Sequence, residues 1–309
     1  EGTAGGQLFL CTMSGSGKLD FDGTYFHAFV ETCGNFSAEG SREFDIHEGD
    51  YYLTFDKAGT VRENGRQKWN HSHSGLLQLS VDGAGQAFAL SVGDAHPYGI
   101  SFNHFSNGAK AKDVILFPDQ SKLRYKDMYA ASTASTESVI IGGLVQVGSY
   151  FYTVIATVAS EKHPTLKQPK DLLFLKFDKA GNILAQRWIE KTPNVNETVP
   201  HIIAYGDNIF MASMVQVGEY DFDYKATVSL LNTAGEYVIQ PQQTNYYLDY
   251  QSRLMNFPNG DVGLISTESY ASEVEIVRFG KGALPSNANT ADANNMNPST
   301  EYGNASVNP

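Results

Sequence analysis

The run Phe-Asp-Lys-Ala-Gly occurs twice in this chain, at residues 55–59 and 177–181. The second copy ends a stretch in which Leu173, Leu175 and Phe177 alternate with Phe174, Lys176 and Asp178. Period two is the pattern of a strand. Asp accepts hydrogen bonds from the backbone ahead of it and Gly takes positive φ, so the run itself reads as a tight hairpin turn. Looser copies lie at residues 102–108, 230–235 and 277–282. The turn glycines Gly59, Gly108, Gly181, Gly235 and Gly282 are spaced by 49, 73, 54 and 47 residues. A period near fifty, filled with strand-like segments, predicts an all-β fold of the β-propeller type. Five blades are expected, with six as the alternative, over residues 1–282. A β-sandwich containing similar hairpins is the competing architecture.

A second echo supports the repeat. Val-Gln-Val-Gly stands at residues 145–148 and again at 215–218. The second unit reads as strands at 76–81, 87–92, 99–105 and 114–117, and the fourth turns at Tyr205-Gly-Asp-Asn208. The third unit has an extra segment at 149–170, strand-like first and then a basic, proline-bearing loop; such insertions are where propellers carry function. Residues 34–50 fit the repeat worst. Residues 7–33 resemble the second and third strands of a blade, so the chain is expected to start inside one, its missing strand coming from the other end and hiding the open edges. Residues 283–309 are rich in Asn, Ala, Ser and Pro, and read as a tail or linker.

Leu19–Asp–Phe–Asp–Gly23, the Asp-Phe-Asp at 221–223, the two Phe-Asp-Lys-Ala-Gly copies, and Trp69 and Trp188 together resemble the blade pattern of bacterial extracellular β-propeller repeat proteins, the SBBP-type repeats. The likeness covers most of residues 7–282. It implies a secreted or surface-displayed propeller, often part of a larger adhesive or filamentous protein, and no catalytic residues.

Charge and cysteine narrow the setting. The formal net charge of −12 argues against nucleic acid and anionic membrane surfaces as partners. No apolar run reaches the roughly eighteen residues of a membrane helix. No signal peptide is visible after Glu1, which fits either a processed protein or one cut for expression. If residues 7–13 and 24–33 form a hairpin, Cys11 and Cys33 fall opposite each other, and a cross-strand disulfide and an oxidising compartment follow; two buried thiols are the other reading. Sequons at Asn35, Asn70, Asn196 and Asn304 fit a secreted glycoprotein. An extracellular or cell-surface location is expected.

Several groups could carry chemistry. Asp20 with Asp22, and Asp221 with Asp223, offer hard oxygens for calcium, or else cap their turns. His71 and His73, joined by His96 or His104, could bind zinc, although hydrogen-bonded histidines suit the pattern better. Ser14-Gly-Ser-Gly-Lys18 lacks the first glycine and the following helix of a phosphate loop. Tyr150 and Tyr152, with His163 and Lys167 in the adjoining loop, and Tyr246, Tyr247 and Tyr250, form aromatic clusters of the kind that hold sugars; packing between blades accounts for them better. The expected function is a binding or adhesion module for a glycan or a surface protein. The alternatives are a self-assembling subunit of an extracellular filament and a glycan-active enzyme. An enzyme needs converging carboxylates, and the first strands expected at 76–81, 201–205 and 253–257 carry none. No cofactor is expected apart from calcium.

Overall fold

A computed structural model describes residues 18–31, 35–36, 42–43, 50–67, 75–81, 86–93, 99–106, 109–115, 140–158, 170–190, 197–217, 224–244, 246, 248, 252–267 and 274–280. Every regular element among them is a β-strand, and every pairing is antiparallel. The described residues fall into two compact units, one within Glu1–Glu137 together with Lys179–Asn182, the other within Ser138–Asp178 and Ile183–Pro309.

The first unit holds two four-stranded sheets. One runs β1 (Lys18–Phe21), β2 (Phe26–Glu31), β5 (Asp50–Phe55) and β6 (Val61–Gln67). A small hairpin, β3 (Asn35–Phe36) with β4 (Arg42–Glu43), interrupts it in the stretch that fitted the repeat worst. The other is β7 (Gly75–Val81), β8 (Gln86–Gly93), β9 (Gly99–Ser106) and β10 (Ala109–Ile115). The second unit holds three sheets. The first joins β11 (Ile140–Ile141) and β12 (Val145–Val147), two pieces of one edge, to β13 (Tyr150–Val158), β14 (Lys170–Phe177) and β15 (Ile183–Glu190). The next is β16 (Glu197–Tyr205), β17 (Asn208–Gln216), β18 (Tyr224–Leu231) and β19 (Tyr237–Thr244). The last is β20 (Arg253–Asn256), β21 (Val262–Thr267) and β22 (Val274–Phe279). Consecutive meanders of this kind are propeller blades. The protein is all-β, of the β-propeller type.

Two expectations are corrected. The first sheet draws all four strands from residues 18–67, with β1 as its first, so this blade does not start part-way through. Pairing of residues 7–13 with the far end lies outside the described residues. Tyr150–Val158 is no insertion either: it is the second strand of its sheet, in unbroken register with β14 from Phe151↔Phe177 to Val158↔Lys170. The extra length of the third repeat falls between Ile115 and Ile140 instead.

The repeated turn explains itself chemically. Gly59 N–H donates to Asp56 O at 2.9 Å, Asp56 N–H donates to Thr60 O at 3.1 Å, and Gly59 takes φ +82°. The Asp56 side chain accepts from the backbone of Ala58 and Thr60, both at 2.9 Å. The ladder slips by one residue just before the turn, between Thr54 and Phe55, and again between Lys176 and Phe177 in the second copy. A left-handed glycine beside such a slip is the signature of a bulged hairpin loop.

Central strands are buried along continuous runs rather than on alternate residues: 87–90 in β8, 171–175 in β14 and 226–231 in β18. A sheet covered on both faces needs that pattern. In the second unit the core joins Phe174, Phe210, Leu230, Leu264 and Phe279. Each fully buried side chain of this size contributes about 1.5–3 kcal/mol.

Candidate functional site

Hairpin geometry gathers two turns at one end of the first sheet. Phe21 pairs with Phe26, Phe26 with Phe55, and Phe55 with Val61, so the β1–β2 and β5–β6 turns lie side by side. The three phenylalanines form a ladder beneath them, with ring centroids 4.6 Å apart for Phe21–Phe26 and 5.1 Å for Phe26–Phe55. An open cleft of about 640 Å³ lies at the turns, lined by Thr24, Tyr25, Asp56, Lys57, Thr60 and Arg62 among others.

The cleft's rim is fixed from below. Asp22 Oδ1 accepts from Thr24 N–H and Tyr25 N–H, each at 2.7 Å, and Oδ2 lies 2.8 Å from His27 Nε2. Both side chains of that pair are almost fully buried, at 3% and 4% exposure. Burial pushes the Asp22 carboxyl up, but the hydrogen bonds from His27, Tyr25 and Thr24 and the nearby imidazole outweigh it and hold the group below its ordinary range. Asp20 Oδ1 accepts from Phe21 N–H at 2.8 Å. Both aspartates of the pair read as calcium ligands are thus turned toward their own turn. Among the described residues no three His, Cys, Asp or Glu side chains gather as a metal site would require.

Two cations lie against aromatic rings here. The Arg62 guanidinium sits 4.5 Å from the centre of the Tyr25 ring, and Lys57 Nζ sits 5.1 Å from that of Phe21. Hydroxyls, one carboxylate, two cations and an aromatic ring around one opening are the groups that hold a polyol. Sequence reasoning missed this cleft. Tyr25 lies in the β1–β2 turn and Arg62 at the start of β6, far apart in the chain, and the pairing of β5 with β2 and β6 brings them together.

The expected site residues scatter. Tyr150 is 40% exposed, with Lys176 Nζ 4.2 Å from its ring centre. Tyr152 is 1% exposed and packs on Phe174 at 5.8 Å; its ring belongs to the core and is not open to a ligand. Tyr246 is half-buried, edge-on to Phe279 at 6.4 Å. Asn35 lies in β3 opposite Glu43. His104 Nε2 lies 2.8 Å from Gln86 Oε1, and its ring stacks on Phe88. His163, Lys167, Tyr247, Tyr250, Asp221, Asp223, Cys11, Cys33, Asn70, Asn196, Asn304, His71, His73 and His96 lie outside the described residues.

A second place was hidden by a bulge. β16 starts at Glu197, four residues before the strand expected from 201, so a first strand does carry an acid; β1, with Asp20, is another. Glu197 and His201 are 2% and 8% exposed. Between them the register slips, Val199 takes φ +46°, and Pro200 has no N–H to give. A β-branched residue at positive φ is a strained position. The neighbouring sheet clamps it: Ile202 N–H donates to Gly142 O at 2.9 Å, and a Cβ on Gly142 would lie 2.7 Å from Pro200 O.

No family model and no curated protein matches the sequence. Solved structures do resemble it in backbone. Bacteroides ovatus xyloglucan PUL GH43B aligns at 10% identity with a TM-score of 0.47, over 86% of this chain and 53% of that one. This chain therefore spans about half the length of that protein. An exo-1,5-α-L-arabinanase from a bovine ruminal metagenomic library aligns at 10% identity and TM-score 0.43, over 85% of this chain and 93% of that one. A PL25 ulvan lyase aligns at 11% identity and TM-score 0.48, over 86% and 67%. No helix among the described residues is long and apolar enough to cross a membrane.

Proposed function

We propose that this protein is a glycan-recognising β-propeller module and that the cleft between the two turns of its first sheet holds the sugar. The observation that carries this is the convergence of Tyr25, Arg62, Lys57, Asp56 and two threonine hydroxyls on one opening above a phenylalanine ladder. The likeness to glycan-active enzymes is one of backbone; the reading rests on the cleft. Titration calorimetry against a panel of neutral and acidic oligosaccharides tests it, with Tyr25→Ala as the control. Removing the ring should weaken binding by about tenfold, on the order of one aromatic contact. A panel in which no sugar binds, or in which Tyr25→Ala binds as well as the native chain, counts against it.

The enzyme reading has its own support in Glu197. A buried glutamate on the first strand of a blade, in the same strand as a buried His201 and a strained bulge, is the kind of group that serves as a general acid or base. Glycoside cleavage also needs a second carboxylate. Release of reducing ends from a polysaccharide, lost in Glu197→Gln, would put catalysis ahead of binding.

We place the module outside the cell, on the strength of the sequons and the even pair of cysteines; the expected hairpin of residues 7–13 with 24–33 is not formed, since β2 pairs with β1 on one side and β5 on the other. Intact mass before and after reduction tests this through the two hydrogens that a Cys11–Cys33 disulfide would take up; an unchanged mass argues against it.

A further inference from the structure

Building on the glycan reading, we infer that the ligand of the first-sheet cleft is an anionic saccharide, one bearing carboxylate or sulfate groups. The chain as a whole is acidic, with 34 Asp and Glu against 22 Lys and Arg. The cleft reverses that sign: its charged lining is Lys57 and Arg62 against Asp56 alone. Two other arginines are matched with acids, Arg187 with Glu236 at 2.8 Å and Arg278, which also lies over Phe257, with Asp261 at 2.5 Å. Lys57 and Arg62 make no ion pair among the described residues; each lies on an aromatic ring.

The nearby acids are already engaged. Asp56 Oδ1 accepts two backbone N–H groups, and Asp22 is buried under Thr24, Tyr25 and His27. Neither cation is ion-paired with an acid at the turns, and Asp56 offsets only part of their charge. Stacking on Tyr25 holds the Arg62 fork in a fixed plane before any ligand arrives, which lowers the entropy lost on binding. Such a fork matches a carboxylate or sulfate edge with two parallel hydrogen bonds. A neutral sugar would leave that geometry unused.

The test uses the full chain and three probes of equal length: an oligogalacturonate, a sulfated galactan oligosaccharide and a neutral galactan oligosaccharide, each titrated at low and high salt. At least one anionic probe should bind about tenfold tighter than the neutral one, with an advantage that shrinks as salt screens it. Carboxylate and sulfate are told apart by which of the two anionic probes wins. Arg62→Gln and Lys57→Gln should erase the advantage, weakening the anionic probes far more than the neutral one; Arg62→Lys, which keeps the charge and loses the fork, should keep only part of it. Equal affinity for all three probes at both salt levels would overturn the inference and leave the glycan reading standing. No binding by any probe would overturn both. Should a variant fail to fold, the salt series on the native chain still decides.

Discussion

Residues 56–60 in the first unit and 232–236 in the second make the same turn with the same hydrogen bonds, and the molecule uses them for different ends. In both, the fourth residue is a left-handed glycine, at φ +82° for Gly59 and +75° for Gly235. In both, the first side chain accepts from two backbone N–H groups at 2.9 Å, whether it is Asp56 or Asn232. The surroundings differ. A Cβ on Gly59 would meet nothing within 4 Å, whereas one on Gly235 would lie 2.7 Å from the Phe174 ring. The second turn is a packing element, and the arginine beside it, Arg187, is matched by Glu236. The first turn borders open space, and its arginine lies on Tyr25. One backbone solution thus serves the core in one place and borders an open cleft in the other.

The largest break in this comparison comes from Gly235→Ala. It adds a left-handed alanine, costing about 1–2 kcal/mol, and a clash with a buried ring, costing about 1–3 kcal/mol more. Denaturant unfolding should show both. A loss no greater than that of Gly59→Ala would mean that Phe174 moves aside freely.

Next comes Asp22, which ties the first sheet's other turn. Asp22→Asn gives up the charge that draws three hydrogen bonds to one carboxylate, and should cost about 1–3 kcal/mol. The pH dependence has a definite sign. The folded carboxyl lies below its ordinary value of 3.8, so its contribution is fully present above that value and is lost as pH falls through the folded one. Unfolding midpoints measured from pH 6 down to about 2 should fall more steeply in the native chain than in Asp22→Asn. Parallel slopes would show the carboxyl to be no better held in the fold than out of it.

Gly59→Ala should cost less, about 1–2 kcal/mol from backbone strain alone, since nothing crowds the new methyl. A larger loss, seen as a drop in Tm beyond that of a purely strained turn, would mean that the cleft is more tightly packed than its open lining shows.

What the sequence could reveal follows from the range over which each feature is written. The turns were legible at Phe55 and Phe177 because Asp and Gly carry their own backbone chemistry in five adjacent residues. The strands were legible where side chains alternate, as in 173–178. Glu197 was not, because the slip at Val199 and Pro200 breaks the period of two just where β16 begins. Tyr150 and Tyr152 read alike in sequence yet part company in the fold: the first is exposed at the β12–β13 turn, and the second points into the core with Phe174. The cleft was the least legible of all. Tyr25 and Arg62 each look like ordinary residues next to a turn, and their meeting is written in the pairing of Phe26 with Phe55, a long-range fact of register.

The smallest effect on stability, and the sharpest test of the comparison, is Asp56→Asn. The second turn already performs this exchange, since Asn232 Oδ1 accepts from Ala234 and Glu236 just as Asp56 Oδ1 accepts from Ala58 and Thr60. An amide oxygen keeps both bonds, so the unfolding midpoint should shift by no more than about 0.5 kcal/mol, the range of a tolerated surface change. The side chain also lines the cleft, where its negative charge opposes Lys57 and Arg62. Removing that charge should raise affinity for an acidic oligosaccharide by a few-fold, on the order of one exposed charge interaction. Binding of a neutral oligosaccharide should gain nothing from the loss of that charge. The two readouts separate turn from cleft: a large loss of stability would deny that the two turns are equivalent. Unchanged stability with unchanged acidic-sugar affinity would remove Asp56, and the sign reversal it belongs to, from any part in binding.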